Sequence, residues 1–95
     1  HYAMNVAVVA SDAGNTVRET SDLLVCNPPF HRGAAVADDL TEHFLRQAAR
    51  LLNRLGVAVF VVNAFIPVEQ KAAAFFSSCE LLVNNRSYKV LALRK

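Results

Sequence analysis

Asn27-Pro28-Pro29-Phe30 stands at the exit of the apolar run Leu23-Leu24-Val25-Cys26 and is the part of the chain best equipped for chemistry. Two consecutive prolines remove two backbone donors and fix two φ angles, so a strand must stop there and continue as a rigid loop. Such a loop holds an amide and an aromatic ring in fixed orientation beside a pocket. The amide oxygen of Asn27 and the carbonyl of Pro28 can accept both N–H bonds of an exocyclic amine. The ring of Phe30 can stack on the plane that carries that amine, at roughly 1–3 kcal/mol per stacked base. Pro29 and His31 complete the loop, and His31 either meets substrate phosphate or base or is simply solvated. The plain alternative is turn punctuation, since Asn-Pro and Pro-Pro commonly mark loops.

Placement after an apolar strand and before a helix favours the functional reading, because open α/β sheets bind ligands beyond the carboxyl ends of their strands. Asn5 to Ala10 and Asp22 to Cys26 read as strands, joined by the polar stretch Ser11 to Ser21. From about Asp38 to Leu55 the period becomes helical, with Val36, Leu40, Phe44, Ala48, Leu51, Leu52 and Leu55 at spacings of three and four. Asp38 or Asp39 suits its N-cap, Glu42 a capping box with Asp39, and Gly56 its C′ position. Val57 to Val62 reads as a strand apolar on both faces, as helices on both sides would require. Pro67 suits the first turn of a helix running to about Phe76. Glu80–Val83 and Tyr88–Leu93 flank Asn84-Asn85-Arg86-Ser87 as an antiparallel hairpin. The expected fold is α/β, a mainly parallel sheet with an antiparallel last strand.

That order places further polar and aromatic groups on the edge that carries Asn27. Asn63 and Phe65 follow the third strand, and the hairpin turn with Arg86 reaches the same edge because the last strand runs backwards. Arg86 and Lys89 could therefore meet phosphates of a ligand on that edge. Arg46, Arg50 and Arg54 fall at i, i+4, i+8, with Glu42 placed to pair with Arg46, a pattern that reads as a solvated helix face.

Composition excludes several classes. With 54 % apolar and 19 % charged residues the chain has much to bury and is not disordered. Its 95 residues allow one small domain that buries about 60–65 % of its unfolded surface. No apolar stretch approaches a bilayer span, and the N-terminus does not read as a signal peptide. Cys26 and Cys79, both in apolar runs, read as buried free thiols in a cytoplasmic protein, and no His/Cys spacing suggests a metal.

The run from Asp22 to Gly33, which contains Asn-Pro-Pro-Phe-His, resembles motif IV of the S-adenosylmethionine-dependent methyltransferases that modify exocyclic nitrogens. The His after Phe is similar to the ribosomal RNA guanine-N2 enzymes of the methyltransferase small domain type. Val61-Val62-Asn63-Ala64-Phe65-Ile66-Pro67, Tyr88-Lys89-Val90 and Ala10-Ser11-Asp12 resemble later and earlier segments of that family, in the right order over nearly all of the chain. The resemblance implies S-adenosylmethionine as cofactor, ribosomal RNA as partner, and N-methylation of a guanine amine. It implies Asn27, Pro28 and Phe30 in catalysis, Asp12 and Asn27 at the cofactor, and Pro29, His31, Asn63, Phe65 and Arg86 at the substrate. Asn-Pro-Pro-Phe also resembles adenine-N6 and glutamine-N5 methyltransferases, and a non-catalytic module binding RNA or protein is the alternative of another class.

The family sheet runs 3-2-1-4-5-7-6, and residues 1–95 offer counterparts of its strands 3 to 7. A glycine-rich first loop has no candidate, because Gly14, Gly33 and Gly56 form no G-x-G. The chain therefore reads as the C-terminal part of a catalytic domain, with weak or no cofactor binding by itself. With family strands 1 and 2 missing, Asp22–Cys26 is expected to be a bare edge that invites a homodimer or a domain-swapped pair. The alternative is that Asn5–Ala10 folds across and fills the vacancy in a five-stranded monomer, which the 11-residue connection, lacking helical periodicity, disfavours.

Overall fold

The computed structural model describes residues 6–9, 20–28 and 34–95, with residues 34–38 described by backbone alone. β1 (Val6–Val9), β2 (Ser21–Cys26), α1 (Ala34–Leu51), β3 (Leu52–Asn63), α2 (Val68–Ala72), β4 (Ser78–Asn84) and β5 (Tyr88–Arg94) follow in that order. The five strands form one sheet in the spatial order β1-β2-β3-β5-β4. β1, β2 and β3 are parallel neighbours, and β5 runs antiparallel between β3 and β4. The mainly parallel sheet with an antiparallel last strand is therefore as expected.

Alternation sorts the sheet into two faces. Leu24, Cys26, Ala58, Phe60, Val62, Leu91 and Leu93 point to one face and are buried with Phe44, Leu45, Ala48 and Leu51 of α1 and Val68 and Ala72 of α2. Leu23, Val25, Val57, Val59, Val61 and Val90 occupy the reverse face and are only half-buried. The double-sided apolar pattern led to an expectation of helices on both faces, but both described helices lie on one. Contacts from α1 to α2 and to the turn after it bind that layer together: Lys71 Nζ of α2 lies 3.5 Å from Glu42 Oε1, and Arg46 Cζ lies 5.8 Å from the ring centroid of Phe75 in the turn.

The α1–β3 junction corrects the sequence reading. The helix ends at Leu51, not Leu55, and Gly56 is not its C′ residue. Its start is also earlier, so Asp38 and Asp39 lie within the helix and not at its N-cap position; Ala34, Ala35 and Ala37 are strong helix formers. Leu52 already pairs with Ser21, while Leu23 pairs with Val57, so two steps along β2 oppose five along β3. The excess residues bulge out of the ladder, which leaves Leu55 93 % exposed rather than in the core. Arg54 is consequently in a strand, and the three arginines do not form one helical stripe. Glu42 pairs with Lys71 in place of Arg46, and Arg50 Nε donates to Gln47 Oε1 at 2.8 Å.

The bulge is fastened on both sides. Asn53 Nδ2 donates to Asp22 Oδ1 at 2.7 Å, and Lys95 Nζ donates to the Leu52 carbonyl at 2.8 Å. A Cβ on Gly56 would stand 2.7 Å from the Asp22 carbonyl oxygen and 2.7 Å from Leu52 Cδ1. Close approach of two backbones, rather than helix termination, is what this glycine serves.

At the other end of the sheet order, β1 pairs with β2 in register from Val6–Leu23 to Val9–Cys26. The expectation of a bare edge on β2 is thus corrected: the first strand fills it and supplies the missing backbone partners. α2 is also shorter than the pattern suggested. Pro67 precedes it in a non-helical conformation, Ala73 caps its end with turns following through Phe76, and Ser77 N–H and Oγ both donate to the Arg94 carbonyl.

Candidate functional site

β1, β2, β3 and β4 all end at the edge where β5 begins, so the segments after Val9, Cys26, Asn63 and Asn84 converge there. Asn27 is exposed on this edge, and its backbone N–H donates to the Val9 carbonyl at 3.0 Å. Pro28 beside it is buried. One backbone bond and one buried ring hold the start of the loop while the Asn27 amide faces solvent. Asp12, Pro29, Phe30 and His31 lie outside the described residues.

β3 overshoots β2 at this edge. Cys26 pairs with Phe60, and β3 continues to Asn63, so Asn63 stands roughly 7 Å further out than Asn27, one strand over. Asn63 is exposed and faces Tyr88 directly across the β3–β5 ladder. A short turn follows. Ala64 N–H donates to the Ser87 carbonyl at 3.1 Å, Ile66 N–H to the Asn63 carbonyl at 3.0 Å, and Val68 N–H to the Ile66 carbonyl at 2.9 Å. Ile66 is buried as its anchor, and Phe65 is held outward at 76 % exposure.

The hairpin turn is built by a side chain. Asn85 Oδ1 accepts from Ser87 N–H at 2.8 Å and from Tyr88 N–H at 2.9 Å, and Asn85 N–H donates to the Tyr88 carbonyl at 3.0 Å. This Asx arrangement fixes the turn without glycine and displays Arg86 to solvent. The structure thus brings Asn27, Asn63, Phe65 and Arg86 to one edge. Tyr88 was missed as a member of this group. The signal was available, since a strand that begins just after a turn must place its first residue at that edge.

Lys89 does not meet phosphate as the sequence suggested. It alternates to the helix face, is 6 % exposed, and donates from Nζ to Glu69 Oε1 at 2.7 Å. Burial raises the Glu69 carboxyl, but the hydrogen bond from Lys89, with its own backbone and the lysine charge, outweighs this and leaves it below the usual value. Burial pushes the Cys26 thiol up to about 12, so it stays a neutral part of the core. Cys79 is also a free thiol but is exposed, contrary to expectation, because β4 is an edge strand. Partial burial and then the Glu69 charge raise it, with Lys89 opposing. Among the described residues no group of three or more His, Cys, Asp or Glu side chains could hold a metal ion, and no helix is long and apolar enough to cross a membrane.

The edge therefore presents acceptors for an amine, aromatic faces and a positive charge, all on tied backbone. Comparison with known proteins fits this chemistry. The family model described as "Methyltransferase small domain" matches residues 1–92. Ribosomal RNA small subunit methyltransferase C of Actinobacillus pleuropneumoniae serotype 5b is 36 % identical over 92 residues, which is 97 % of this chain and 28 % of that protein. Ribosomal RNA large subunit methyltransferase G of Pseudoalteromonas translucida is 31 % identical over 78 residues, 82 % of this chain and 20 % of that protein. Among solved structures, the T. thermophilus 16S rRNA guanine-N2 methyltransferase in complex with AdoMet and guanosine superposes with a TM-score of 0.74 at 32 % identity, over 90 % of this chain and 23 % of that one. The chain spans about a quarter of the length of these relatives.

Proposed function

The chain belongs to the methyltransferase small domain family, and from that premise we propose that it forms the C-terminal, substrate-side part of a catalytic domain that methylates the N2 amine of guanine in ribosomal RNA. The observation that carries this reading is the exposed Asn27 amide beside buried Pro28, at the carboxyl edge of the sheet. Similarity to ribosomal RNA methyltransferases, one of them solved with AdoMet and guanosine, supports it.

Asn27 and Pro28 suit the transfer end of S-adenosylmethionine, whereas residues 1–95 contain no glycine-rich loop to cradle its methionine end. Asp12 is assigned to the adenine contact. When bound, the cofactor supplies an electrophilic methyl group on a sulfonium. The chain's own residues prepare the nucleophile. Asn27 Oδ1 and the Pro28 carbonyl accept the two N–H bonds of the amine, which turns its lone pair away from them. Phe30 stacks on the guanine plane, Pro29 and His31 are assigned to substrate binding, and Arg86 offers its charge to phosphate. No strong base is required, because the nitrogen becomes acidic once alkylated and releases its proton to water. The gain is orientation together with preorganised dipoles.

The test incubates the intact protein with unmethylated small ribosomal subunits and S-adenosylmethionine, followed by nucleoside mass spectrometry. N2-methylguanosine is the expected product, formed about a hundredfold more slowly with Asn27→Ala. Formation of N6-methyladenosine, or of no methylated nucleoside, overturns the assignment.

A further inference from the structure

We propose that Phe65 and Tyr88 form an aromatic clamp for an unpaired nucleotide next to the target base, which makes the substrate single-stranded RNA rather than duplex. The inference rests on the RNA reading above and adds a residue, Tyr88, and a strandedness that the reading does not contain.

Exposure is the first argument. Phe44, Phe60 and Phe76 are buried and Phe75 half-buried, yet Phe65 is 76 % exposed and Tyr88 44 %. Rigidity is the second. An exposed ring on a loose loop signifies little, but the Phe65 turn is closed by three backbone hydrogen bonds and the buried Ile66, and Tyr88 is fixed by Asn85 on both its N–H and its carbonyl. The Ala64–Ser87 bond ties the two segments to each other. Little backbone freedom is lost when a base docks on rings carried by segments already held in place.

Position is the third. Asn63 and Tyr88 are directly opposed in the ladder, so their side chains share a face about 5 Å apart at Cβ, and Phe65 follows two residues later. Because this part of β3 stands roughly 7 Å beyond the level of Asn27, the rings flank the target amine and do not cover it. Arg86, exposed two residues before Tyr88, sits where a phosphate of the same strand would pass. A base inside a duplex has both faces stacked already, so only an unpaired one can use this surface.

Fluorescence anisotropy with a labelled single-stranded RNA oligonucleotide, and with the same strand annealed to its complement, tests the clamp in the intact protein. The single strand is expected to bind better than the duplex. Phe65→Ala and Tyr88→Ala should each weaken it about tenfold, whereas Phe65→Tyr and Tyr88→Phe, which keep the rings, should stay within twofold. Circular dichroism identical to the parent confirms that the alanine variants are folded, as their exposure leads one to expect. Unchanged single-strand affinity in both alanine variants, or equal binding of duplex, overturns the clamp while N2-methylguanosine formation leaves the function standing. No binding of either RNA also overturns the clamp, and N2-methylguanosine formation on small ribosomal subunits then decides the function separately.

Discussion

Lys89 of β5 and Glu69 of α2 are joined by a 2.7 Å ion pair whose lysine is nearly buried and whose carboxylate is 41 % exposed. The pair ties the last strand to the helix that immediately follows the Asn63–Pro67 turn, and so stabilises the edge from beneath. Glu69→Ala leaves a buried ammonium without its partner. We expect a loss of about 2 kcal/mol in urea unfolding, less than the 3–5 of a fully buried pair because water reaches the carboxylate. Lys89→Met, which removes the charge and keeps the stem, should cost less. Because the Glu69 carboxyl is lowered by folding, its contribution is present above the unfolded value and lost as pH falls through the folded one. The midpoint of the parent should therefore drop on acidification more steeply than that of Glu69→Gln.

Gly56→Ala should destabilise by about 1–3 kcal/mol. The added methyl meets the Asp22 carbonyl, which belongs to the β2 backbone and cannot swing aside as a side chain would. Chemical denaturation that shows no loss would mean the bulge between Leu52 and Val57 is looser than described.

The two thiols should behave oppositely. Cys79 is exposed and should react with a disulfide reagent in the folded protein, whereas Cys26 should react only on unfolding. Folding raises the Cys26 value to about 12, so its contribution is complete below the unfolded value near 9.0 and declines as pH rises from there toward 12. Cys26→Ala should flatten that alkaline loss, measured as unfolding midpoint against pH.

In the intact protein, Asn27→Ala should lower single-turnover methyl transfer by about a hundredfold while changing cofactor affinity far less, since the role proposed for the amide is to act on the amine in the transition state. An unchanged rate would refute the role. Phe30→Ala should weaken RNA retention, and Phe30→Tyr, which keeps the stacking face, should be nearly neutral.

Isolated, residues 1–95 should bind S-adenosylmethionine weakly or not at all, because they contain no glycine-rich loop. Calorimetry that returns a micromolar dissociation constant would contradict the assignment of this chain to the substrate side.

Fold class and the edge that carries the candidate site were legible from local chemistry alone. Proline pairs end strands, alternating and continuous apolar runs mark sheets, and a turn followed by an apolar run reverses the chain; these signals act over a few residues and placed Asn27, Asn63, Phe65 and Arg86 together. What they could not decide depends on contacts between distant segments. Helical periodicity runs through Leu55, yet the helix stops at Leu51 because Leu52 gains a strand partner in Ser21. Gly56 looks like a helix terminator and is instead the point where two backbones nearly touch. Lys89 looks like a phosphate ligand, and only the pairing of β5 with β3 shows that alternation turns it inward to Glu69. The neighbour of β2 was open as well: the pattern of Asn5–Ala10 marks a strand but not its partner, because strand pairing is a competition among all available edges, settled only when the whole sheet assembles.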